Sequence, residues 1–394
     1  MVLTDHANTE IAQRLYRTAA DLAARFEARA AAHEAAGTFP YENYNDLRRS
    51  GYHLATVPEK YGGWGASVAE VTRAQARLGE GCASTALVVA MQVTQVARAV
   101  QAGWPQATLD RVMAGIVEDG HLINSTASEP ATGSPSRGGL PTTTATPNSD
   151  GYILTGRKTY STGAPVLHYF VVSASIPGSD GAKSQVANFL VERDLPGVSI
   201  ETTWNALSLR LSGNDDLLLE GVRLDKAALL GSAQKPTTQM AAFSAAWGLP
   251  VAAVYFGIGR AAAKYAVKYA RERKPNSLDK SIAELTHIQE KAGRMELALL
   301  EAENTLFAVA DLAASGEAER NPARLTALVG AAKQLATNRA IEAVDLAMRI
   351  VGSASLSMET PLQRYYRDVR AGLGNPPKDD VSTINLGKYV LGLS

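Results

Sequence analysis

The sequence predicts an α+β protein in which a β-domain stands between two helical parts, and three observations predict it. Apolar residues recur at helical spacing over the first 120 or so positions. From 121 to about 231 the chain breaks into short apolar runs bounded by Ser, Thr, Gly and Pro. Helical spacing returns near 235 and holds to the end. The 394 residues suffice for two or three domains, since single cores seldom grow past roughly 250 residues. The limits these shifts suggest are 1–120, 121–232 and 233–394.

Each element has its own signal. Ile11, Leu15, Leu22 and Phe26 share one helical face, and Gly37 is a plausible stop. A loop at Tyr61 to Gly65 precedes an alanine- and valine-rich stretch, Ala83 to Val100, that reads as a buried helix. The runs Gly151–Gly156, His168–Ser175, Ala187–Arg193 and Leu217–Leu224 have the length of strands. Their frequency suggests a small antiparallel sandwich or barrel. Ile288, Ala292, Met295, Leu299, Ala302, Leu306 and Val309 alternate spacings of four and three, which suits a long helix in a near-parallel bundle. Asn321 and Pro322 supply an N-cap and a first-turn proline for the next helix, whose face runs through Leu325, Leu328, Leu335, Ala343 and Leu346.

Composition narrows the function. Lys plus Arg is 39 and Asp plus Glu is 39, so there is no basic surplus to carry nucleic acid as the main partner. The single cysteine, Cys82, cannot form an internal disulfide, which fits a reducing cytoplasm, and it reads as a small buried hydrophobe. No His or Cys cluster has metal-ligand spacing. The start, MVLTDHANTE, lacks the basic residues and apolar run of a signal peptide. No uncharged apolar run of about 18 residues predicts a membrane span. Pattern alone gives no function.

Five segments, in order, carry a resemblance. They are VPEKYGGWGAS at Val57–Ser67, SEPATGS at Ser128–Ser134, GYILTGRKTYSTGA at Gly151–Ala164, GVRLDKAALLG at Gly221–Gly231 and METPLQRYYRDVRAG at Met358–Gly372. Together they resemble the acyl-CoA dehydrogenase superfamily across nearly the whole chain. The resemblance implies an N-terminal helical domain, a middle β-domain and a C-terminal four-helix domain. FAD would lie in the cleft between them, with its adenosine end reaching a neighbouring subunit of a homodimer or homotetramer.

A flavin that accepts hydride at N5 becomes electron-rich at N1 and O2, so hydrogen-bond donors there stabilise the reduced form. By resemblance Ser128 takes the place of a flavin-contacting threonine. Thr162 is the residue close to N5, Tyr160 an aromatic against the ring, and Ser134 a serine near the pyrophosphate. Arg273 matches an arginine for the neighbouring subunit's FAD, and its guanidinium can bind two phosphate oxygens. Gln289 matches a family glutamine, while Arg349 and Gly352 stand where the family has a glutamine and a glycine-rich turn. The plain alternative is that the hydroxyls are turn residues and the arginines solvated helix charges.

The catalytic base departs from the family. Its common position, eight residues after Asp368, holds Pro376, and the position on the earlier helix, ten residues before Gly257, holds Trp247. A thioester α-proton is weakly acidic, and a general base contributes roughly 10² to 10⁴ in rate. In one reading Asp379 or Asp380 serves instead, and the protein desaturates an acyl thioester, acyl-CoA as the resemblance implies, passing hydride to N5. In a second it is a two-component flavin monooxygenase acting on a small organic molecule. A third is a flavin-binding protein with little catalysis. The two aspartates also suit helix capping, with Asp380 ahead of VSTINLGKYVLGL. His121 and His168 stand near the predicted cleft without an assigned role.

Overall fold

The computed structural model describes residues 9–131, 139–178, 184–232 and 237–393. Five helices come first: α1 (Glu10–Ala36), α2 (Tyr41–Ser50), α3 (Val68–Gly81), α4 (Ala83–Gln101) and α5 (Gln106–Glu118). Among the described residues eight strands follow: β1 (Ile123–Thr126), β2 (Thr144–Pro147), β3 (Gly151–Ser161), β4 (Tyr169–Ile176), β5 (Gln185–Glu192), β6 (Val198–Glu201), β7 (Asp215–Asp225) and β8 (Leu229–Ser232). The second helical part comprises α6 (Thr238–Ala246), α7 (Leu249–Glu272), α8 (Thr286–Ala314), α9 (Glu317–Arg320), α10 (Pro322–Val351), α11 (Leu362–Asp368), α12 (Ala371–Gly374) and α13 (Asp379–Val390).

The ends of these helices follow local chemistry. Thr9 Oγ1 accepts from the Ala12 N–H at 3.0 Å and starts α1, and Gly37, at φ 64°, stops it in the left-handed region. Ser67 and Glu70 form a capping box on α3. Asn321 caps α10 by accepting from Arg324 N–H, with Pro322 in the first turn. The last helix differs from expectation. Its N-cap is Lys378, which makes no side-chain bond, and Asp379 and Asp380 are its first two residues. They face the positive end of the helix without closing it.

The eight strands form one sheet in the order β6-β7-β3-β2-β4-β5-β8, with β1 added on β4. Most neighbours are antiparallel, while β1 and β2 both meet β4 in parallel. Leu154, Phe170 and Phe189 are fully buried on this sheet and belong to the same apolar core as the helices. In α8 and α10 the predicted stripes face inward, with Met295, Leu299, Leu306, Leu325 and Leu346 buried.

Helix α3 binds the two helical parts together. A Cβ on Gly257 would lie 2.3 Å from the Ala76 carbonyl oxygen, and one on Gly79 2.6 Å from that of Val254. Only glycine permits α3 and α7 to meet backbone to backbone. Two stretches, Ala83–Gln101 and Thr238–Glu272, are apolar and long enough to cross a membrane on composition alone; 83% and 67% of their most apolar windows are buried inside the fold.

Candidate active site at the exit of β3

Two β-domain segments converge at one place. The Ser128 carbonyl accepts from Thr159 N–H at 2.9 Å, which sets the chain after β1 beside the end of β3. The pairing of β3 with β7 slips between Lys158 and Ser161. Such a bulge bends a strand and re-aims its side chains. Tyr160 here takes a φ of 55°, and the residue is 65% exposed. A left-handed non-glycine residue costs roughly 1–2 kcal/mol, and such outliers gather at ligand sites. The Thr162 N–H donates to the Tyr160 carbonyl at 2.9 Å, and Asn124 Nδ2 donates to the Thr162 carbonyl at 3.0 Å. The predicted residues Ser128, Tyr160 and Thr162 are therefore neighbours, half-buried, exposed and buried in turn. Thr126 Oγ1 and Ser161 Oγ, in the same two segments, are buried and have no partner among the described residues.

A buried ion pair fixes this junction. Lys158 Nζ lies 2.6 Å from Glu129 Oε1, both side chains fully buried. The Thr142 N–H and hydroxyl (2.6 Å each) and the Thr143 N–H (3.0 Å) also donate to Glu129. Burial would raise the Glu129 pKa, but the bonds from Lys158, Thr142 and Thr143 outweigh it and hold it at about 2. Two further contacts shape the site. A Cβ on Gly163, at φ 81°, would lie 2.6 Å from Val88 of α4, so the turn after Thr162 presses on the helical part. Trp204 stands edge-on to Tyr160, with ring centroids 5.9 Å apart at 71°. Sequence reasoning named neither Trp204 nor the Glu129–Lys158 pair. Glu129 and Lys158 do lie inside the two matched segments, while Trp204 lies outside all five.

The residues predicted for the far end of a dinucleotide lie elsewhere. Ser134 falls outside the described residues. Arg273 ends α7, exposed, and its carbonyl accepts from Ile282 N–H. Gln289 is exposed at the start of α8 and donates to the Ala283 carbonyl at 3.2 Å. Arg349 is exposed in the last turn of α10, and Gly352, at φ 74°, caps that helix. Between α8 and α10 a cavity of 640 Å³ is lined by Lys291, Arg294 and Arg349 together with Glu290, Glu342 and Asp345. Among the described residues no hydrogen bond or ring contact joins these groups to Ser128, Tyr160 or Thr162.

The two base positions behave as their residue types dictate. Trp247 is buried, and its carbonyl accepts from Thr94 Oγ1 at 2.9 Å. Pro376 carries no titratable group, and Asn375 before it donates to the hydroxyl of buried Tyr255. Asp379 turns onto α10: its Oδ2 accepts from Asn338 Nδ2 at 2.7 Å, and its Oδ1 lies 4.0 Å from buried Lys333. Asp380 is exposed, its carboxylate accepting from the Val381 N–H. Another carboxylate, Asp368, is 2% exposed, and burial pushes its pKa up to about 6. Its Oδ1 accepts from the Leu209 N–H at 2.7 Å.

Cys82 and the two histidines noted in the sequence are placed as follows. Cys82 is buried, and burial raises its thiol pKa. His121 and His168 stack on each other, centroids 3.5 Å apart, between the end of α5 and the sheet. Burial and the neighbouring His168 lower the His121 pKa. A cavity of 910 Å³ lies between α1, α3, α7 and α8, and no residue of β3 lines it. Several of its cations are already paired, Arg73 with Asp311 and Arg260 with Glu296 and Glu303. Among the described residues no group of His, Cys, Asp and Glu is arranged to hold a metal.

Comparison with known proteins agrees with this layout. Residues 9–113, 125–222 and 249–374 match the family models described as acyl-CoA dehydrogenase N-terminal, middle and C-terminal domains. The chain is 41% identical over 359 residues to YdbM of Bacillus subtilis, a protein named as an acyl-CoA dehydrogenase; the match covers 91% of this chain and 92% of that one. It is 30% identical to the amino sugar nitrososynthase RubN8 of Streptomyces rubradiris, over 88% of this chain and 82% of that one. It superposes with a TM-score of 0.87, at 25% identity, on KijD3 solved with FMN and a dTDP-linked amino sugar, covering 98% of this chain and 95% of that one.

Proposed function

The chain belongs to the acyl-CoA dehydrogenase family, and from that premise we propose that it is a flavin-dependent oxidoreductase that oxygenates a small organic substrate. The donor set at the exit of β3 fits a flavin ring. Hydroxyls of Ser128 and Thr162 can donate to the polar edge of an isoalloxazine, and the Tyr160 ring, backed by Trp204, offers it an aromatic wall. Bound and reduced, the flavin supplies two electrons that, with two protons, convert one atom of O₂ to water and leave the other for the substrate.

The observation that carries the oxygenase reading is the state of the carboxylates. Both family base positions are non-acidic. Asp379 is held against α10 by Asn338, and Asp380 faces solvent. Oxygenation does not require abstraction of a thioester α-proton, whereas desaturation does. The RubN8 and KijD3 relatives support the same reading, since the former is named as a nitrososynthase and the latter was solved with FMN.

Desaturation of an acyl thioester is the second reading. It is favoured by the 41% identity to YdbM and by Asp379, three residues beyond the usual base position. It requires Asp379 to leave Asn338 and enter the cleft. One experiment separates the two. The flavin-loaded protein is mixed anaerobically with an acyl-CoA panel, and in parallel supplied with reduced flavin, O₂ and a panel of amines and heteroaromatic compounds. The oxygenase reading expects no bleaching by any thioester and a product one oxygen atom heavier. Bleaching by a thioester, abolished in Asp379→Asn, would reverse the choice.

A further inference from the structure

We propose that Asp368 is a positioning residue for the flavin wall, holding the turn from Trp204 to Ser212 so that it supports both Tyr160 and Thr162. The inference rests on the flavin reading of Ser128, Tyr160 and Thr162, and it concerns residues that touch no ring themselves. Its basis is a chain of short contacts. The Asp368 carboxylate accepts from the Leu209 N–H at 2.7 Å. Leu209 has a φ of 52° and is 3% exposed. Its carbonyl accepts three bonds, from Trp204 Nε1 (2.9 Å), Ser212 Oγ (2.7 Å) and Ser212 N–H (3.0 Å).

Two arms leave this hub. One is Trp204, which stands edge-on to Tyr160. The other is Ser212, whose carbonyl accepts from the Gly163 N–H at 2.9 Å, one residue after Thr162. Arg367 grips the same turn from beside Asp368, its Nη1 donating to the Leu207 carbonyl at 2.8 Å. The arginine and aspartate of the late motif therefore bracket Leu207 to Leu209.

Leucine resists a left-handed φ, so this hub needs an anchor to persist. Asp368 is suited to the task because it cannot move away. It is 2% exposed, and the charged and titratable groups that act on it are Glu34 of α1, Arg364 and Arg367 of α11, Cys82 at the head of α4 and Tyr255 of α7. Removing the acceptor leaves the buried Leu209 N–H without a partner, and the turn regains its freedom to relax. Tyr160 and Thr162 then lose their backing together.

The test compares Asp368→Asn, which keeps an acceptor oxygen, with Asp368→Leu, which has none. Affinity for FAD and FMN and the visible circular dichroism of the bound flavin are read, with thermal melting as a control on folding. Asp368→Asn should bind within about threefold of wild type, and Asp368→Leu should bind about tenfold or more weakly with a shifted flavin band. Adding Leu209→Gly to Asp368→Leu should restore part of the affinity, because glycine holds the positive φ unaided. Trp204→Phe, which keeps the ring but loses the bond to Leu209, should shift the band in the same direction, and this variant decides the matter if Asp368→Leu does not fold. An unchanged band and affinity in Trp204→Phe and Asp368→Leu, or equal losses in Asp368→Asn and Asp368→Leu, would overturn the positioning role alone. Wild-type protein that binds neither flavin overturns the site reading, and the positioning role with it.

Discussion

At Lys158 a positive charge is buried completely, and it is stable there only because Glu129 meets it at 2.6 Å. Breaking one partner of such a pair is costlier than removing both, since the remaining charge stays desolvated. Lys158→Met should therefore destabilise the protein by about 3–5 kcal/mol in urea denaturation, and Lys158→Met with Glu129→Leu should recover much of that. The pair also sets an acid limit. The folded pKa of Glu129, about 2, lies below its ordinary 4.5, so its contribution is complete above pH 4.5 and is lost as pH falls towards 2. That contribution is about 3 kcal/mol, and the Lys158→Met variant should lack most of the corresponding slope. At this scale Ser128, Tyr160 and Thr162 could be named from the chain because short motifs contain them. The pairing of Glu129 with Lys158 could not, because it links positions 29 apart through a fold. Trp204 left no motif trace, since an edge-on contact constrains ring position more than sequence spacing.

Among the elements, α8 and α10 were legible from their stripes, and α10 down to its Asn321 cap, because a stripe such as Met295, Leu299, Leu306 leaves a period of 3.6 in any buried helix. The start of α13 was less so. Two acids after a proline pair suit a cap and a first turn equally, and the backbone placed them in the first turn behind Lys378. The ends of α7, α8 and α10 carry the residues proposed for the adenosine half of FAD: Arg273, Gln289, Arg349 and Gly352. Among the described residues no hydrogen bond joins them to the β3 exit, and we propose that they serve a flavin held mainly by another subunit. An Arg273→Ala variant should weaken FAD about tenfold, the worth of one charge-assisted phosphate contact, while FMN changes about twofold or less. Isothermal titration with both flavins checks this. Parallel losses for FAD and FMN would assign Arg273 to folding or assembly.

On the scale of the whole molecule, the three-part order of helices, sheet and helices could be read from the change of period, while the route of the sheet could not. The parallel pairing of β1 and β2 with β4 depends on connections that periodicity does not encode. The same holds for the approach of α3 to α7, which rests on Gly79, a glycine the chain does not single out, and on Gly257, which served there only as a landmark for a base position. The outer surface supports self-association, since Val381, Ile384, Val390, Leu391 and Leu393 of the last helix and its tail are exposed. We propose a homodimer or homotetramer in which one copy completes the flavin site of the next. The claim beneath all of this is that an isoalloxazine ring rests on Ser128, Tyr160 and Thr162. The most direct measurement is a titration of the flavin-free protein with FAD and FMN, followed by flavin absorbance and fluorescence, in wild type and in Ser128→Ala with Thr162→Val. The account predicts saturable binding with a resolved visible band in wild type, and affinity about tenfold weaker or worse in the double variant, whose fold is unchanged. Equal affinity and an identical band in the two proteins would contradict it.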